Sequence, residues 1–272
     1  MKKIVTLLVT LLSLLVLVGC GEKKDEKTIS VACSPTPHAE ILNIAKEILA
    51  NQGWTLNIVE YEDYVQPITV VEEGEIDANY FAHVPYINNF NAENNTNQVV
   101  VAKVHYEPFG IYPGKKSSLA DLTEGDDIII PNDGSNETRA LLLLQDNGII
   151  TLPAGTSADS IVTKNDVVNY NVKINIVEQE AAQIARSKDD AAMVILNGNY
   201  ALAAGLNVRN DSIAYEEADS SAAKTYVNVL AVKSGNENNE GIKALASVLE
   251  SQEIAEYIVS QYEGAVIPFN YD

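Results

Sequence analysis

Apolar positions along this 272-residue chain recur at two spacings, and the spacing keeps switching. In "TISVAC" and "WTLNIVEY" they alternate or run together as in strands, with side chains on opposite faces at a period of two. In "TPHAEILNIAKEILANQG" they fall three and four apart, so Ile41, Ile44, Ala45, Ile48 and Leu49 line one face of a helix. Thr36 is its expected N-cap and Pro37 its first residue. Further on, "VQPITVVEEGE" predicts a short helix, "DANYF" a strand, "PYINNFNAEN" a helix opening at Pro85, and "QVVVAKVHYEPFGIYP" one or two strands. The middle repeats the theme. "DDIIIP" leads into the helix "SNETRALLLLQDNG", closed by Gly148, and "VKINIVE", a helix around "AAQIARS", "AAMVILN" and "GNYALAAG" follow. Such alternation predicts an α/β fold with largely parallel sheets.

Two stretches break the rhythm. "YEPFGIYPGKKSSLADL" (106–122) carries two Pro and two Gly, and "EEADSSAAKTYVNVLAV" (216–232) passes from small polar residues into a strand. If the chain leaves one lobe at the first and returns at the second, both ends belong to the same lobe and the crossings form a hinge. The expected division is 28–112 plus 225–272 for lobe one and 113–224 for lobe two.

The N-terminus follows another pattern. Met1-Lys2-Lys3 precedes an apolar run, Ile4 to Val18, interrupted only by Thr6, Thr10 and Ser13. Fifteen residues at about 1.5 Å each fall short of a hydrocarbon core of about 30 Å, so residues 1–19 read as a secretory signal. The ending "LVGC" resembles the lipobox of bacterial lipoproteins, which implies a diacylglycerol on Cys20. The charged "GEKKDEK" behind it makes 20–27 a tether. The chain would then be lipid-anchored on the extracytoplasmic face of the cell membrane. With Cys20 lipidated, Cys33 is the only other cysteine, expected in the core at the end of "ISVAC".

A formal net charge of −20 argues against nucleic acid as a partner. No GxSxG, P-loop or GxGxxG is present, which argues against an enzyme. Three histidines scattered along the sequence give no metal-ligand spacing, so neither metal nor cofactor is expected.

Candidate chemistry gathers where strands should end. In "DANYFAHVPY" a strand over 77–81 and a helix from Pro85 leave 82–84 as a loop at a carboxyl end, where open α/β sheets bind ligands. Phe81 and His83 share a side, and Tyr86 follows in the first helical turn; the alternative is Phe81 in the core and His83 at the surface. Arg139 lies near the start of its helix, where a cation is disfavoured unless an anion sits beside it. A surface pair with Glu137 or Asp133 would satisfy it equally. Asn197 ends the run "AAMVIL", and Asn228 interrupts "TYVNVLAV", where an amide is disfavoured without a partner.

The lipobox, "PHAEIL", "YEDYVQP", "DANYFAHVPY", "PNDGSNETRALLLLQDNGII", "AAMVILNGNYA" and "YVNVLAVK" together resemble, in order and spacing, the methionine-binding substrate lipoproteins of ABC importers, the NlpA family. The resemblance runs from Ile29 onward. It implies a periplasmic-binding-protein type fold, two α/β lobes joined by a two-strand hinge, acting as a monomer without catalysis. It implies L-methionine or a related amino acid as ligand, and an ABC permease as partner. It also assigns Tyr64, Phe81, His83 and Tyr86 to the thioether, Arg139 to the α-carboxylate, and Asn197 and Asn228 to the ligand backbone. Cys33-Ser34 and the turn "DGSNET" depart from the family pattern and leave D-methionine, a methionine dipeptide or another amino acid open.

Overall fold

The computed structural model describes residues 27–217 and 224–269, so the signal, Cys20 and most of the tether lie outside the described residues. The chain builds two sheets of mixed direction. The first contains β1 (Thr28–Cys33), β2 (Thr55–Glu60), β3 (Ala78–His83), β4 (Gln98–Tyr106), β12 (Val227–Lys233) and β13 (Ile267–Pro268), in the order β13-β4-β12-β3-β1-β2. The second contains β5 (Gly110–Pro113), β6 (Asp127–Pro131), β9 (Asn175–Gln179), β10 (Met193–Leu196) and β11 (Ala214–Tyr215), in the order β11-β5-β10-β6-β9. A small ribbon of β7 (Ile150–Thr151) and β8 (Asn169–Tyr170) stands apart.

Nine α-helices complete the described chain: α1 (Glu40–Asn51), α2 (Gln66–Glu72), α3 (Val84–Asn94), α4 (Gly134–Asp146), α5 (Ala181–Ile184), α6 (Gly198–Ala203), α7 (Val208–Asp211), α8 (Glu240–Leu249) and α9 (Gln252–Tyr262). The sheets are covered on both faces. In β12 the even positions Leu230 and Val232 pack with Ile41, Leu42 and Leu245, while Val227, Val229 and Ala231 pack with Ile68, Phe81 and Ile87. In the second sheet Ile128 and Ile130 face Leu141 and Leu144, whereas Ile129 turns to Val194 and Leu196. Alternation at a period of two thus sorts each strand between two cores.

Several expectations need correction. The sheets are not largely parallel: β12 runs antiparallel to β3 and β4, and β5 antiparallel to β10 and β11, because strands entering or returning at a crossing run against their neighbours. β5 belongs wholly to the second sheet, so the first crossing is residues 107–109 and residues 110–112 fall in the second lobe. Thr36 caps nothing. It is extended before a cis bond to Pro37, and α1 begins only at Glu40 after a turn over Pro35–Ala39. The expected loop at 82–84 is absent because β3 runs to His83 and α3 starts at Val84. Helices α8 and α9, which supply Leu245, Ile254 and Ile258 to the first core, lie in a stretch for which no helix was predicted.

All three histidines belong to the first lobe and are buried, His38, His83 and His105 being 1%, 5% and 0% exposed. Cys33 is buried too, and burial pushes its thiol up to about 12. Burial likewise lowers His38 to about 4, against the pull of Glu107, and His105 to about 3; it lowers His83 to about 3 with help from the Arg139 charge. Each ring is harder to protonate folded than unfolded. It therefore leaves stability intact above about pH 6.5 and subtracts from it as pH falls toward 4. The imidazole proton resonances of the folded protein should stay flat from pH 8 to 5. A ring titrating near 6.5 would place that histidine in solvent.

Candidate functional site

β3 ends against α3, and the junction sets the first wall. His83 is the N-cap: its Nδ1 accepts the backbone N–H of Tyr86 at 3.1 Å, which leaves Nε2–H to donate to Asn136 Oδ1 at 3.0 Å. Pro85 in the first turn has no N–H to leave unsatisfied. The cap brings Phe81, His83 and Tyr86 to one side, and Tyr64 from the segment before α2 closes the cluster. Ring centroids lie 5.6 Å apart for Tyr64 with Phe81 and with Tyr86, and 6.1 Å for Phe81 with Tyr86. These distances suit offset or edge-on packing.

The second lobe supplies polar groups. Asp133 caps α4 by accepting Asn136 N–H at 3.0 Å, and its carboxylate also takes both Asn136 Nδ2 contacts at 2.9 Å. Burial pushes the Asp133 carboxyl up. Asn136 Oδ1 then accepts from His83 and from Asn197 Nδ2 at 2.9 Å. Asn197 Oδ1 is buried and accepts from no described group. At the mouth, Tyr64 O–H donates to Asn199 Oδ1 at 2.5 Å, and Tyr200 O–H to the Glu62 carbonyl at 2.8 Å. Three of these contacts join the lobes.

Arg139 stands in the second turn of α4, deeper than the anion-binding end, and it is 3% exposed. Neither Glu137 nor Asp133 is its partner. Its Nη2 donates to Glu216 Oε2 at 2.6 Å and to the Glu107 carbonyl at 2.9 Å, and its Nε donates to Glu216 Oε1 at 2.9 Å. The guanidinium carbon lies 4.4 Å from the Tyr226 ring and 4.7 Å from the Phe109 ring. Burial opposes the charge, and Glu216 more than offsets it, so the Arg139 pKa is raised.

Asn228 pairs with His83 across β3 and β12. Its Oδ1 accepts His38 Nε2–H at 3.0 Å, so its amide NH₂ remains for the cavity. Beneath it, Tyr80 O–H donates to His105 Nδ1 at 2.5 Å, and His105 Nε2–H donates to Glu107 Oε1 at 2.7 Å. The histidines, scattered in sequence, are therefore not scattered in space: His38, His105 and Glu107 present donor atoms within 4.8 Å of one another. The imidazole N–H groups are already spent on Glu107 and Asn228, which makes the cluster a hydrogen-bonded network.

One cavity, narrowed to about 20 Å³ between the closely apposed walls, is lined by Tyr64, Phe81, His83, Tyr86, Arg139, Asn197 and Asn228, all seven residues singled out from the sequence. Glu107, Asn136, Gly198 and Asn199 line it as well and were missed, although "HYEPFG" and "DGSNET" had stood out as breaks in pattern. A wider recess of about 450 Å³, with Glu62, Asp63, Glu180 and Tyr200 in its walls, adjoins it through Asn199.

Comparison with known proteins agrees with this architecture. A lipoprotein of known structure from Ruminococcus gnavus is 58% identical, covering 90% of this chain and 100% of that one, with a TM-score of 0.88. A nutrient-binding protein from Burkholderia cenocepacia, solved bound to methionine, is 34% identical over 88% of this chain and 99% of its own, with a TM-score of 0.83. The methionine-binding lipoprotein MetQ of Bacillus subtilis is 37% identical over 91% of this chain and 90% of its length. The family model described as NlpA lipoprotein matches residues 29–270, and the chain belongs to that family of two-lobed, periplasmic-binding-protein type lipoproteins.

Proposed function

We propose that this protein captures methionine between its lobes and hands it to the permease of an ABC importer. It is a lipoprotein held to the membrane at Cys20 on the extracytoplasmic side, and it is a transport component rather than an enzyme. The observation that carries the reading is a cavity between the lobes, with aromatic rings from the first lobe and polar groups from both. Relatives named for methionine binding support the choice of ligand.

A thioether is polarizable and gains about 0.3 to 1.5 kcal/mol per contact with a ring edge, which suits Tyr64, Phe81 and Tyr86. His83, neutral with both nitrogens engaged, adds a flat wall without a charge. The ligand's carboxylate goes to the donor side, where Arg139 and the Asn228 NH₂ converge. Asn197 Oδ1, buried and unpartnered, is an acceptor for the ammonium group. The recess beyond Asn199 favours a second reading, in which methionine is the C-terminal residue of a dipeptide.

Calorimetry of protein stripped of ligand by unfolding and refolding should show methionine binding at least tenfold tighter than leucine. Leucine matching methionine defeats the thioether assignment, and glycyl-methionine exceeding both favours the dipeptide. Phe81→Ala should weaken methionine by about 0.3 to 1.5 kcal/mol, the value of a thioether contact with a ring, and narrow its preference over leucine. Arg139→Ala should abolish measurable binding and lower the melting temperature as well, because it leaves Glu216 buried without its cation. Normal binding by that variant would remove Arg139 from the site.

A further inference from the structure

Charge counting around the cavity leaves one carboxylate over. Arg139 is matched by Glu216 through a 2.6 Å ion pair and two further contacts. Glu107 is 4% exposed, lines the cavity, and has only imidazoles as side-chain hydrogen-bond partners: His105 at 2.7 Å and, more distantly, His38 at 3.4 Å. His105 is itself fixed by Tyr80, whose O–H occupies Nδ1, so the ring can only donate toward Glu107. Burial raises the Glu107 carboxyl, against the pull of His38, Arg139 and the Asn199 backbone N–H.

The chain also keeps a space for this group. A side chain at Gly198, the first residue of α6, would place its Cβ 2.6 Å from Glu107 Cβ and 2.8 Å from Oε2. The carboxylate end could swing aside, but the Cβ contact cannot be relieved that way, since that atom is next to the backbone. Gly198 lines the same cavity, so the carboxylate and the glycine that admits it face the ligand together.

We infer that Glu107 is the counter-ion of the ligand's α-ammonium, positioned by His105 and Tyr80 and admitted by Gly198. Asn197 Oδ1 provides the neutral acceptor on the opposite lobe. An amino acid brings one positive and one negative group, and the cavity meets them with Glu107 and with the Arg139 side. This rests on the proposal that the cavity takes an amino acid, and it names the residue that makes the amino group obligatory.

The test compares methionine with 4-(methylthio)butanoate, the same molecule without its amino group, on wild type, Glu107→Gln and Gly198→Ala by calorimetry. Wild type should prefer methionine strongly. Glu107→Gln should weaken methionine about 10- to 100-fold, the range for a charged hydrogen bond, while leaving the des-amino compound within a few-fold. Gly198→Ala should narrow the preference in the same direction. Equal loss of both ligands in both variants, or an unchanged ratio, overturns the assignment. Wild type binding the des-amino compound as well as methionine overturns it without any variant. Failure of wild type to bind methionine at all strikes instead at the ligand proposed above, and the same paired comparison with whichever amino acid does bind then decides Glu107.

Discussion

The buried ion pair between Arg139 and Glu216 is the constraint around which the rest is arranged. Moving two charges out of water costs several kcal/mol each, and good geometry must offset it. Here Arg139 is held by Nε and Nη2 on one carboxylate, by the carbonyl of Glu107, and between the rings of Phe109 and Tyr226. Glu107 and Phe109 lie on the first crossing, and Glu216 and Tyr226 on either side of the second. Glu216 also takes the Tyr106 hydroxyl at 2.5 Å and the Phe109 N–H at 3.1 Å. One side chain of the second lobe thus ties together both strands of the hinge. The ion pair therefore sits where the two crossings meet.

That ion pair orders the polarity of the cavity. With Glu216 fixing the guanidinium, the cleft has donors on one side. Asn228 adds its NH₂ there because His38 has already taken its oxygen. On the other side the chain from Asp133 through Asn136 to Asn197 points donors inward along itself and ends on a bare oxygen. A neutral His83 keeps these directions unique, since its Nδ1 must accept the Tyr86 N–H while Nε2–H donates to Asn136. The low dielectric that makes neutral histidine favourable also makes each unmatched group costly. A zwitterion fits this layout better than a sugar or an ion of single sign.

Much of the lining was legible in the sequence because local rules place it. A period of two sets Phe81 beside His83, Pro85 starts a helix that brings Tyr86 round, and an Arg near a helix start wants an anion. What could not be read was pairing over distance. Glu216 is 77 residues from Arg139, Asn136 is 53 from His83, and Tyr64 is 135 from Asn199. Glu107 was hidden for another reason: it sits in a Pro- and Gly-containing break whose composition signals a crossing and says nothing about which side chains point inward. Likewise "GIYP" reads as a strand in either sheet, and only its pairing with β10 assigns it. The mixed direction of the sheets is a tertiary fact with no local signature.

The contacts that bridge the lobes bear on how such a receptor would signal. His83 to Asn136, Tyr64 to Asn199 and Tyr200 to Glu62 are ordinary hydrogen bonds, each worth about 0.5 to 1.5 kcal/mol net. Their sum, about 1.5 to 4.5 kcal/mol, falls short of the roughly 5.5 kcal/mol that turns a 1:99 equilibrium into 99:1. An apolar interface of similar size would hold the cleft shut regardless of ligand, and a purely electrostatic one would vary with salt. Using polar groups, two pairs of which also line the cavity, makes closure weak alone and strong when a ligand engages both walls. The residues that recognise the amino acid are then the same ones that report its presence, through the position of the second lobe, to whatever docks on the closed form.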